Sequence, residues 1–347
     1  MKKKLLTAVL ILLLLVALAG GYFWYSSTQP LYEVGSVAEG DVITAPAQTG
    51  DPDSWQMGDG IELYHFAAGN GRSVLIIHGG PGIPYTDPWP ALASLTNEYQ
   101  FHYYDQRGSG QSTRPFDTFS GTYVENLTNL EQSLGLGAQI SDMERIRQIL
   151  GEEKLIIIGH SFGAFIASLY AAEFPQHVEA MVLIAPANVL VMPSEGGGLF
   201  DEVGKRLPDE LQTDYAAFLD DYFDFGNVFS KSESDLVTMN QQFGEFFGAA
   251  VELPAVAQGR PGGWMTTALY FSMGSRHDYR PGLQAVEAPV LVIHGANDLQ
   301  SEAASRIYLD AFPNASFHVI ENTGHFPFVD QPEALGTVVT NFLTSLQ

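Results

Sequence analysis

The chain has 347 residues, with 16 Lys plus Arg against 40 Asp plus Glu and a formal net charge of −24. So acidic a chain repels phosphate backbones, which argues against a nucleic-acid partner. It contains no cysteine, so disulfides, thiolate metal sites and cysteine nucleophiles are excluded. The length suits one large α/β domain or two ordinary ones.

At the N-terminus, Lys2, Lys3 and Lys4 precede an uncharged run from Leu5 to Tyr25. At about 1.5 Å per residue, a helix of that length matches the ~30 Å hydrocarbon core of a bilayer. The lysines would stay on the cytoplasmic side and place everything after them outside. Residues 1–25 are therefore expected to be a transmembrane anchor or signal segment of an exported protein. Ala17-Leu18-Ala19 before Gly20 fits a signal-peptidase site, whereas Tyr22 to Tyr25 resemble an interfacial aromatic belt. The run exceeds a typical signal h-region of about 7–15 residues, which favours an uncleaved anchor contacting the membrane through residues 5–25. Residues 26–52, rich in Ser, Gly, Pro, Thr and acidic residues, read as a tether.

From about Trp55, short apolar runs alternate with helical stretches. Strands are predicted at Ile61–Phe66, Ser73–His78, Phe101–Tyr104, Lys154–Ile158, Ala180–Ala185, Pro289–His294 and Ser316–Ile320. Several are continuous apolar runs, the signature of strands buried on both faces. Helices are predicted from Ser141, with Ser141 and Glu144 as a capping box, and over Ser161–Glu173, Ala303–Phe312 and Pro332–Leu346. The alternation implies an α/β fold, a mostly parallel sheet flanked by helices. It breaks between about Pro186 and Glu287, in an acidic, aromatic stretch of helical character that includes Asp209–Phe223 and Asp235–Phe247. The expected organisation is a core of 53–186 and 287–347 with an inserted, mainly helical cap at 187–286.

Gly159-His160-Ser161-Phe162-Gly163 lies between a predicted strand and a helix. Gly-x-Ser-x-Gly there suits a nucleophile on a strained turn, because small flanking residues let strand and helix approach. A serine needs a base and an orienting acid, and in this arrangement they follow in the order Ser, acid, His. Asp298 falls at the end of strand 289–294, and His325 in the loop after strand 316–320. Ser161, Asp298 and His325 are therefore the candidate catalytic residues. Glu302 and Glu321 are rival acids, and Asp298 has the alternative of capping the next helix. His160, His294 and His318 sit in or beside strands and read as packing residues. His78-Gly79-Gly80-Pro81-Gly82 follows another strand. It is expected to supply the Gly80 N–H to an oxyanion hole, with the Phe162 N–H as second donor.

Taken together, His78–Gly82, Asp105-Gln106-Arg107-Gly108-Ser109-Gly110-Gln111-Ser112 and Asp142–Arg147 ahead of the elbow resemble the prolyl aminopeptidase (proline iminopeptidase) family of α/β-hydrolase-fold enzymes. The resemblance spans about Trp55 to Asn188 and resumes from Ala288. It implies release of N-terminal residues, often proline, from short peptides through an acyl-enzyme, with no metal or organic cofactor. It also implies cap carboxylates that bind the substrate's ammonium group, for which Glu245 and Glu252 are candidates. The elbow departs from the family's usual Gly-Gly-Ser-Trp-Gly, and its Gly-His-Ser-Phe-Gly form is common in esterases. A carboxylesterase or lipase of the same fold is thus the alternative enzyme. A non-catalytic surface receptor that keeps the pocket is the alternative of another class.

Overall fold

A computed structural model describes residues 28–194, 198–251 and 258–346. The first strands are β1 (Ser54–Gly58), β2 (Ile61–Gly69), β3 (Arg72–Ile77) and β4 (Tyr99–Tyr104). Helices α1 (Tyr123–Leu134) and α2 (Leu136–Leu150) lead to β5 (Leu155–His160), α3 (Phe162–Glu173) and β6 (Val178–Ile184). After an insertion come β9 (Val290–Gly295), α9 (Glu302–Ala311), β10 (Ala315–Ile320), α10 (Pro327–Asp330) and α11 (Pro332–Thr344). Eight of these strands form one sheet in the order β1-β2-β4-β3-β5-β6-β9-β10. From β4 to β10 all neighbours are parallel, and β1 and β2 join antiparallel at one edge.

Burial on both faces explains the continuous apolar runs. Leu75, Ile77, Ile157 and Leu183 point into one apolar cluster with α2 and α3. Val74, Ile76, Ile158 and Ile184 point into the opposite cluster with α11. Period-two side chains thus feed two cores from a single sheet.

The insertion holds β7 (Val191–Met192), α4 (Leu199–Arg206), α5 (Gln212–Tyr222), α6 (Glu233–Val251), α7 (Trp264–Met273), β8 (His277–Asp278) and α8 (Arg280–Leu283). Helices α4, α5 and α6 share a separate apolar cluster around Tyr215, Phe218 and Phe246. In contrast, Trp264, Met265, Ala268 and Leu269 of α7 are buried in a main cluster beside the sheet.

Two expectations are corrected here. The membrane-spanning segment has no counterpart in the fold, because no helix among the described residues is long and apolar enough to cross a bilayer. The longest, α6, has 19 residues and carries Glu233, Asp235 and Glu245, whereas a span needs about 20 mostly apolar ones. Residues 5–25, on which the anchor, the membrane contact and the exported location rested, lie outside the described residues. The second correction concerns Ser141, which is not a helix cap. Helix α2 starts at Leu136 after Gly135, and the Ser141 hydroxyl donates to the Gly137 carbonyl 2.7 Å away. The capping box of this region is Thr122 with Glu125, at the head of α1.

Candidate active site

Four loops at the C-terminal ends of parallel strands meet at one edge of the sheet. The turn from β5 into α3 places Ser161 at φ 55 and ψ −121, a region that non-glycine residues rarely occupy. The turn is this tight because α3 lies against β3, and a Cβ on Gly163 would collide with the Ile77 carbonyl oxygen. The Ser161 N–H donates to Ile184 O at 2.9 Å, and its carbonyl accepts from Ala164 and Ala187.

Asp298 follows β9 and His325 follows β10. His325 Nδ1 lies 3.0 Å from Asp298 Oδ2, and its Nε2 lies 2.9 Å from Ser161 Oγ. A carboxylate only accepts, so Nδ1 carries the proton and the bare Nε2 accepts from the serine hydroxyl. Burial pushes the Asp298 carboxyl up, but the His325 ring and the Gln300 N–H outweigh it and hold the carboxyl below its ordinary value. The structure therefore brings the three candidate residues together in hydrogen-bonding order. Glu302 is instead engaged by Arg306 on α9, and Glu321 is exposed.

The loop after β3 closes over the serine. A Cβ on Gly79 would sit 2.8 Å from Ser161 Cβ, so the backbone comes closer there than any other residue permits. Gly80 lies beside Ser161, and neither its N–H nor that of Phe162 has a protein acceptor among the described residues. Phe162 opens α3, so its amide is one of the helix's unpaired first-turn donors. The loop is held from below: the Gln106 N–H donates to His78 Nε2 at 3.0 Å, and Gln106 Nε2 donates to His78 O at 2.9 Å. Next to it, Arg107 makes a two-pronged buried bond to Asp142 on α2, at 2.6 and 2.5 Å.

His160 is not a simple packing residue. Its Nε2 lies 2.7 Å from the His325 carbonyl, which only accepts, so Nδ1 is bare and accepts from the Tyr85 hydroxyl at 2.8 Å. Burial and then the nearby His325 push its pKa down to about 3. Its place inside the elbow was the available signal. Tyr85 carries no sequence signal, because the contact spans 75 residues.

Two chambers border Ser161. One, of about 470 Å³, is lined by His325, His160, Tyr85, Gln241, Gln258 and Glu245. The other, of about 620 Å³, is lined by Phe162, Tyr123, Val189, Met192 and Phe271, with Gln29 and Leu31 from the lead-in. Glu245 is exposed on α6 at the wall of the first chamber, and Glu252 lies outside the described residues.

The comparisons with known proteins agree with this architecture. A proline iminopeptidase of Heyndrickxia coagulans is 26% identical over 290 residues, covering 80% of this chain and 92% of the relative. One from Clostridioides difficile is 24% identical over 304 residues, covering 82% and 96%. Among solved structures, the proline iminopeptidase of Mycobacterium smegmatis aligns with a TM-score of 0.55 at 19% identity, covering 84% and 97%. A thermophilic esterase of Thermogutta terrifontis aligns at 0.54 with 21% identity, covering 82% and 94%; at such identities the likeness establishes the fold alone. The chain is prolyl-aminopeptidase-like in sequence, and with the alpha/beta hydrolase fold profile matching residues 72–332, it belongs to the α/β-hydrolase fold family.

Proposed function

We propose that this hydrolase is a serine enzyme that works by acyl transfer, and the hydrogen-bonded series Ser161–His325–Asp298 is the observation that carries the reading. His325 Nε2 takes the Ser161 proton as Oγ attacks the substrate carbonyl, and Asp298 holds the ring and stabilises its charged form. The Gly80 and Phe162 amides stabilise the oxyanion. His325 then gives the proton to the departing atom, and water releases the acyl group from Ser161.

Within this class, similarity to proline iminopeptidases supports release of N-terminal residues from short peptides. The insertion, residues 187–286, then acts as the substrate-selecting cap, and Glu245 is its described carboxylate at the site. Ester hydrolysis is the second reading, favoured by the larger chamber, whose lining carries no charged side chain among the described residues. A fluorophosphonate probe tests the mechanism: it should label the protein and lose its target in Ser161→Ala. Labelling that persists in Ser161→Ala would overturn the assignment of the nucleophile. A panel of arylamides with free or acetylated N-termini beside short esters separates the two substrate classes.

A further inference from the structure

The proposed reaction divides a substrate at its carbonyl carbon, and the two chambers are unequal in a way that assigns the halves. His325 must reach the departing atom to protonate it, so the leaving group belongs in the chamber that His325 lines. The carbonyl oxygen faces Gly80 and Phe162. The acyl group is left with the other chamber, which Ser161 and Phe162 line and His325 does not.

That chamber is built for apolar matter. Tyr123, Leu127, Val189, Met192, Phe200 and Phe271 form its walls, and among the described residues no lining side chain carries a charge. An ammonium group drawn in there would meet no carboxylate among the described lining residues, and its desolvation is costly. The space is also large for half a substrate. Its volume of about 620 Å³ falls within the roughly 300–1,000 Å³ that ordinarily holds an entire small ligand.

Resting on the acyl-enzyme mechanism and the ester reading above, we infer that this enzyme hydrolyses esters of uncharged, medium-chain carboxylic acids, with the acyl chain in the larger chamber. The polar alcohol part lies in the smaller one, within reach of Gln241 and Gln258. The chemistry balances without a co-reactant. The acyl group moves from the alcohol oxygen to Ser161 Oγ, and the serine proton passes through His325 to the alcohol. Water's oxygen then bonds to the acyl carbon as its bond to Ser161 Oγ breaks, giving the free acid, and water's proton returns through His325 to the serine.

A chain-length series with a fixed leaving group tests this, using 4-nitrophenyl acetate, butyrate, hexanoate and octanoate. Burial of a methylene is worth about fourfold when complete and about twofold when half complete, so the six extra methylenes of octanoate should raise kcat/KM by at least about 60-fold over acetate. Hexanoic acid methyl ester should also be cleaved at least about tenfold faster than norleucine methyl ester, which differs only by its α-ammonium group. Filling the chamber with Leu127→Trp or Val189→Trp should lower the octanoate-to-acetate ratio at least about tenfold. A flat or falling chain-length profile, or preference for norleucine methyl ester, in a protein whose Ser161 still takes the fluorophosphonate would overturn the inference and leave the mechanism standing. Absence of labelling would instead remove the acyl-enzyme reading itself.

Discussion

Ser161, His325 and Asp298 form one hydrogen-bonded unit, so their removal should not be additive. Ser161→Ala or His325→Ala should each lower kcat by about 10³-fold or more, and the double variant should be little worse than either. Near wild-type turnover in Asp298→Ala would give the orienting role to another carboxylate. Beneath the unit lies a second layer, Tyr85 to His160 to the His325 carbonyl. Tyr85→Phe leaves His160 Nδ1 buried without a donor, a loss of about 1–3 kcal/mol, and loosens the loop that carries His325. The expected outcome is a kcat about tenfold lower with KM nearly unchanged. A lower melting temperature with kcat intact would reduce the pair to a structural role.

Among the elements, the loops after β3 and β4 depend on an ion pair away from the serine. Asp142 is buried on α2, and its removal leaves the Arg107 guanidinium, also buried, without its carboxylate. Asp142→Ala should therefore cost about 3–5 kcal/mol, read as a lower urea midpoint. Elements with a local signature were legible in the sequence: the apolar runs of β3, β5, β6 and β9, and the elbow with its glycines. From them the strand ends carrying Ser161, Asp298 and His325 could be placed. Helix α1 was missed although Thr122 and Glu125 mark its start. Ser141 and Glu144 have the same spacing, but the chain is already helical there and Glu144 turns inward to Arg147 and Tyr170. The two chambers were not legible at all. Their walls join residues as distant as Leu31, Tyr123, Val189 and Phe271, a juxtaposition that only the packed insertion creates.

For the molecule as a whole, buried and half-buried histidines set the response to acid. Burial holds His65, His78 and His102 near about 4 and His160 near about 3, against an ordinary 6.5. Below about pH 6.5 the unfolded chain takes up protons that these folded sites refuse, so stability falls as the pH drops towards 4. Asp105, raised by burial to about 6, and Glu131, raised to about 7, work the other way by keeping protons in the folded state. Four sites outweigh two, and the urea midpoint should be lower at pH 5 than at pH 7. Both ring nitrogens of His102 are buried without a partner among the described residues, so His102→Phe should narrow that difference; an unchanged gap would remove His102 from the account. The lead-in before the sheet belongs to the same whole. The Tyr32 hydroxyl and the Gly35 and Ala38 amides all bind the buried Glu173 carboxylate, at 2.6, 2.8 and 2.8 Å, while Gln29 and Leu31 wall the larger chamber. A protease cut or an engineered start near Trp55 would thus do more than trim a leash. It would strip one side from the acyl cavity and uncover a carboxylate at the end of α3, so the smallest working unit of this enzyme begins ahead of its first strand.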